Sequence, residues 1–223
     1  MSMESIGIGG SHVVAAPPNR PFMALKRLVR PAATVERCEL CSLELAPEHE
    51  HLLDPLSRRL VCSCTACAML FDLQADVKFR RVPRRVRFLT NFHLTDAQWD
   101  GLFIPINMAF FFHSTPAGKI VALYPSPAGA TESTLALDTW GEIVDSNPIL
   151  ATMQPDVEAL LVKRLSRGDG SGSAEYYLAP IDQCYKLVGL LRANWQGLSG
   201  GSQVWQALAT FFEQLRERSE SDA

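Results

Sequence analysis

Beyond residue 90 the apolar positions switch repeatedly between strand-like runs and helical spacing. Ile106 to His113 and Lys119 to Tyr124 are apolar and aromatic runs either side of Thr115-Pro-Ala-Gly118, which predicts a hairpin. Val157 to Leu165 and Glu175 to Ala179 flank a Gly/Ser loop over 166–174 and predict a second hairpin. A helical spacing follows each. Asp138 opens a helix carrying Trp140, Ile143 and Val144 that stops at Asn147-Pro148. Asp182 opens another, through Tyr185, Val188 and Leu191 to Trp195. A ββα unit occurring twice predicts a four-stranded antiparallel sheet with helices on one face.

Shorter signals fill in the rest of this half. Thr95-Asp-Ala-Gln98 is a capping box ahead of Trp99 and Leu102. Pro125-Ser-Pro-Ala-Gly129 reads as a strand break, leading into a loop of small polar groups up to Ser133 in which Glu132 is the titratable residue. Gly197 to Gly201 separates two helices, and Ser202 opens a final one with Val204, Leu208, Phe211, Phe212 and Leu215 on its buried face. Glu217 to Ala223 is expected to fray.

The first ninety residues follow a different pattern. Residues 1–20 have no periodicity and read as a flexible arm. Phe22, Leu25 and Val29 form a short amphipathic turn ended by Pro31. His51-Leu-Leu-Asp54 and Arg58 to Cys62 read as short strands around the turn Asp54-Pro-Leu-Ser57. Residues 78–87 carry six basic side chains, and Val82, Val86 and Phe88 share one parity, so an extended strand is expected, limited to an edge or broken by Pro83.

Charge divides the chain in the same place. Residues 1–90 hold 13 Lys/Arg against 9 Asp/Glu, whereas 91–223 hold 8 against 15. Three parts result: an arm over 1–20, a cysteine-bearing module with its lead-in and basic edge strand over 21–90, and an α+β domain over 91–223. Hydrophobic residues make up 47% and charged residues 20%, enough for a real core. The longest nearly apolar run, Leu102 to Phe112, is too short to span a bilayer, and the first residues lack a signal-peptide pattern. A cytoplasmic location is expected.

Five of the six cysteines lie between Cys38 and Cys67. In a reducing compartment such clustering favours a metal over disulfides. Cys38-Glu-Leu-Cys41 and Cys64-Thr-Ala-Cys67 are two C-x2-C pairs separated by 22 residues, a spacing that lets four thiolates close a zinc tetrahedron. Knuckle, hairpin and ligand-bearing helix in that order predict a treble-clef or zinc-ribbon-like module. Cys62, which can replace Cys64, and His49 and His51 are reserve ligands. Four protein ligands leave no open position, so the site is expected to be structural; an iron–sulfur cluster is the alternative.

Other motifs carry less. The basic run invites a nucleic-acid reading, but the pI near 6.0 and the lack of interleaved aromatics favour a solvated edge strand. Gly197-Leu-Ser-Gly-Gly201 matches a hydrolase elbow in form only, because no His follows His113. Cys184 at a helix start has no neighbouring His in sequence. No catalytic constellation emerges.

Cys38-Glu-Leu-Cys41, Glu48-His-Glu-His51-Leu-Leu-Asp54, Cys62-Ser-Cys64-Thr-Ala-Cys67, Tyr124-Pro-Ser-Pro-Ala-Gly-Ala-Thr-Glu-Ser133 and Pro155-Asp-Val-Glu-Ala-Leu-Leu-Val162 together resemble a bacterial domain-of-unknown-function family. Its genes lie beside those for actinobacterial-type [NiFe] hydrogenases. The resemblance runs from about Arg30 onward and brings no catalytic residues. It implies a non-catalytic accessory protein that assists assembly or maturation of a hydrogenase, with a hydrogenase subunit or maturation factor as partner. The alternatives are an iron–sulfur electron carrier of the same system and a zinc-containing nucleic-acid-binding regulator.

Overall fold

The computed structural model describes residues 35–72, 78–133, 138–164, 174–196 and 200–222. The arm, the amphipathic turn at 22–29 and most of the hydrolase-like string at 197–201 lie outside them.

The chain builds a small sheet first and a large one second. β1 (Glu50–Asp54) and β2 (Arg59–Ser63) form an antiparallel hairpin in which Leu52 faces Val61 and His51 faces Cys62. Asp54 Oδ1 accepts the Leu56 N–H at 3.1 Å and so closes the turn, as an Asx turn does. α1 (Thr65–Asp72) follows directly. β3 (Arg80–Arg81) pairs with β1, giving the order β2-β1-β3. The expected edge strand is therefore present but short. The chain leaves it around Pro83 and re-forms as β4 (Arg87–Leu89) in the second sheet.

The second sheet contains seven strands in the order β10-β4-β9-β8-β5-β6-β7. Its centre is the two expected hairpins: β5 (Met108–Ser114) with β6 (Lys119–Ser126), and β8 (Glu158–Lys163) with β9 (Glu175–Pro180), joined through β5 and β8. The four-stranded expectation is corrected at both edges. Residues expected as a strand break and loop instead form a tight hairpin, with β7 (Gly129–Glu132) paired to the end of β6. Pro125 is tolerated there because β5 stops pairing at Leu123, so its missing N–H removes no bond on that side. Residues 220–222, expected to fray, instead form β10 (Glu220–Asp222), which pairs parallel to β4, and Glu220 N–H donates to Val86 O at 2.9 Å.

Helices cover both faces of this sheet, not the one face expected. The cause lies in the central strands, which are apolar at both parities and so need cover on each side. Phe110, Phe112, Leu161 and Tyr177 pack under α4 (Ile181–Asn194) and α5 (Gly201–Glu217). Ala109, Phe111, Leu160 and Leu178 pack under α2 (Asp96–Gly101) and α3 (Asp138–Ser146), helped by a 3-10 turn over Pro148–Thr152. Trp140 stacks on Phe111 with centroids 5.3 Å apart. The ββα echo thus holds for the hairpins, but the two following helices take opposite faces.

Local signals fare well in the helices. α2 begins with the full capping box of Thr95 and Gln98, and α5 buries Val204, Leu208, Phe211, Phe212 and Leu215 as expected. Asp182 does not cap α4; Pro180 occupies that position and Asp182 lies in the first turn. Glu36–Ala223 form one compact unit, with Leu53, Val82 and Val86 of the first part buried in the same core as α4 and α5. Among the described residues no helix is long and apolar enough to cross a membrane.

Candidate metal centre

The knuckle at Cys38 is set by the backbone. Cys38 N–H donates to Leu43 O and Ser42 N–H returns to Cys38 O, both at 2.8 Å, while Ser42 takes a left-handed φ of 63°. This folds Cys38 and Cys41 back towards one point. Glu39 N–H donates to Cys62 O at 2.9 Å, and Glu39 Oε1 accepts the Cys62 N–H at 2.9 Å, so the knuckle is pinned to the end of β2. Cys64 stands just before α1 and Cys67 lies in its first turn. Ala68 N–H donates to Cys64 O at 2.9 Å, and Cys67 N–H points at Cys64 Sγ at 3.5 Å.

These three local devices converge. The sulfurs of Cys38, Cys41, Cys64 and Cys67 all lie within 4.8 Å of one another, and Cys41 Sγ to Cys64 Sγ is 3.7 Å. A tetrahedron with Zn–S bonds of about 2.3 Å has sulfur–sulfur edges of about 3.8 Å. The donor set therefore fits a single thiophilic ion. Its environment is graded: Cys38 and Cys64 are buried and Cys41 is exposed. Desolvation works to raise the Cys38 thiol, but backbone N–H groups of Cys64, Cys41 and Leu40 outweigh it and hold it at about 6. Desolvation and the neighbouring thiols of Cys64, Cys41 and Cys38 push Cys67 up to about 12. One thiolate forms readily, and a cation is needed to bring four such groups to the ionised state together.

The reserve ligands fall elsewhere. Cys62 on β2, His51 on β1 and His49 just before β1 form a second group whose ligand atoms also lie within 4.8 Å of one another. Burial, with Glu36, Glu39 and Cys38 nearby, pushes the Cys62 thiol up. Sequence reasoning kept these three only as substitutes for a ligand of the first group. Register could have separated them, because His51 faces Cys62 across the hairpin and His49 shares the parity of His51.

The remaining candidates are absorbed by the fold. Arg80 pairs with Asp156 at 3.3 Å, Arg81 and Arg84 with Glu50 at 3.2 and 3.4 Å, and Arg87 donates to Thr152 at 2.8 Å. The basic run is thus largely engaged within the molecule. Cys184 is fully buried in the core, and desolvation raises its thiol well above the usual range. Glu132 meets Arg58 at 2.9 Å.

A family model described as Family of unknown function (DUF5947) matches residues 37–219. The chain belongs to that family. The matched span begins one residue before the first thiol, so the family covers both C-x2-C pairs together with the large sheet. The family description assigns neither an activity nor a partner. No curated protein and no solved structure matches the chain.

Proposed function

We propose that this chain is a non-catalytic, cytoplasmic accessory protein whose Cys38, Cys41, Cys64 and Cys67 hold a structural zinc ion, and that it works by docking a protein partner. The observation that carries the reading is the mutual approach of the four sulfurs within 4.8 Å. One tetrahedral ion satisfies all four, which leaves no position for substrate. Thiolates bound to separate irons of a four-iron cluster stand further apart than this, which counts against the electron-carrier alternative. Docking is supported by apolar side chains left in solvent around the site. Leu40 and Leu43 on the knuckle and Met69 and Leu70 on α1 are all exposed. The resemblance described above makes a hydrogenase subunit or maturation factor the partner of choice.

Protein purified without oxygen is expected to be colourless and to carry zinc at these four thiols, with Cys67→Ser releasing that ion. A brown, iron-containing preparation overturns the metal assignment. Capture from the native host should retain a [NiFe] hydrogenase subunit or maturation factor, and Leu43→Asp with Leu70→Asp should lose it while keeping the zinc. Retention of that partner by the doubly charged variant removes this face as the dock.

A further inference from the structure

The group formed by His49, His51 and Cys62 has a different chemistry from the four thiols. Its geometry follows from a two-residue strand period and one cross-strand pair. The two imidazole rings meet edge-on with centroids 4.8 Å apart. One ring nitrogen of each, together with Cys62 Sγ, lies within 4.8 Å of the others.

The surroundings fix which ring nitrogens carry the hydrogen. Ala46 O can only accept, so His49 Nδ1 carries the hydrogen in their 3.0 Å contact. Asp182 Oδ2, a carboxylate oxygen, accepts from His51 Nδ1 at 2.9 Å. Each ring therefore turns a bare Nε2 lone pair away from its hydrogen-bond partner. The His49 side chain is only 7% exposed. Its Nε2 is buried and, among the described residues, has no hydrogen-bond partner; Asp182 Oδ1 is in the same condition. Burying such an acceptor unsatisfied is unfavourable, because its lost contact with water is not replaced. A cation between the rings removes that cost.

We propose that His49 Nε2, His51 Nε2 and Cys62 Sγ form a second mononuclear site, for a divalent transition ion of the zinc type, with its fourth coordination position open. Two imidazoles and one thiolate are a borderline-soft set suited to zinc or cobalt. Binding displaces the Cys62 thiol proton to solvent. The Asp182–His51 contact is the carboxylate–histidine arrangement that orients a metal-bound imidazole. Three protein ligands leave room for water or an exogenous ligand. The two histidines and Asp182 line a cleft of about 390 Å³ whose wall also carries Glu48 and the three cations Arg84, Lys186 and Arg218, a net positive lining. A small anion is the ligand class this cleft suits. Asp182 belongs to α4, so the ion also ties the hairpin to the large sheet.

The test uses the full chain, stripped of metal under reducing conditions and titrated with Co2+, with bound metal counted and thiolate-to-cobalt absorption followed. Wild type should take two equivalents. Cys62→Ser and His51→Ala should each take one and keep the four-thiolate spectrum. Asp182→Asn should retain the second site with affinity lowered by about 10–100-fold. Zinc X-ray absorption on wild type, which needs no variant to fold, should show a nitrogen shell at about 2.0 Å beside sulfur at about 2.3 Å. A single equivalent with sulfur-only scattering overturns the proposal, as does a second equivalent that survives both Cys62→Ser and His51→Ala.

Discussion

The cysteine-bearing hairpin module and the seven-stranded sheet are held together by different forces. Among the described residues of the module, Leu52, Val61 and Ala68 form a small buried apolar cluster of their own, with Phe71 and Phe79 packed against it. Ordering backbone costs about 1–2 kcal/mol per residue, far more than three side chains return. The sheet has two apolar clusters, one on each face, rich in aromatic residues and supplied by every central strand. Among the described residues both groups able to hold a metal lie in the module. On the function proposed above, the smaller region would depend on coordination and on its seam with the sheet, whereas the sheet is built on apolar burial.

Metal removal should separate the two most strongly. Structural zinc in finger-sized units contributes about 10–16 kcal/mol of apparent folding free energy. Stripping the ion should abolish amide-exchange protection over α1 and the β1–β2 hairpin while β5, β8 and β9 stay protected. If the sheet loses protection at the same chelator concentration, the two regions form one cooperative unit and the contrast fails.

The reciprocal experiment truncates Phe111, which is fully buried and stacked on Trp140. Phe111→Ala should destabilise the sheet by about 3–5 kcal/mol, through lost transfer energy and the cavity left behind. Denaturant unfolding followed by aromatic fluorescence should show the lowered midpoint, with zinc content at the four thiols unchanged. Coupled loss of zinc would show that the module borrows its stability from the sheet core.

How much of this contrast could be read from the sequence differs by region. The knuckle, hairpin and helix were legible because C-x2-C spacing and the Asp54 turn act over a few residues. The capping box at Thr95 and the apolar stripe of α5 were legible for the same reason. The sheet edges were not, because β7 and β10 depend on partners whose register no local pattern encodes. The single-face placement of helices failed on Met108 to Phe112, a continuous apolar run whose two parities are equally buried and so carry no direction. The His49, His51 and Cys62 group was half legible from hairpin register. Its other half, Asp182, lies 131 residues further along the chain and was read as a helix cap.

The seam between the regions provides the smallest and most discriminating effect. Arg58, in the β1–β2 turn with a φ of 56°, reaches Glu132 at the end of β7 at 2.9 Å. Both side chains are partly open to water, at 31% and 41% exposure, so solvent screens the pair. Arg58 also sits 5.6 Å over the Phe112 ring, which makes Glu132 the cleaner residue to change. Glu132→Gln keeps the shape and removes the charge, and should cost under about 1 kcal/mol, less in high salt. That outcome leaves coordination and the shared apolar contacts of Leu53, Val82 and Val86 as what holds the module to the sheet. A loss above about 2 kcal/mol that disappears at 1 M salt would give surface electrostatics a leading part in that junction, and the division between a metal-dependent region and an apolar one would then be incomplete.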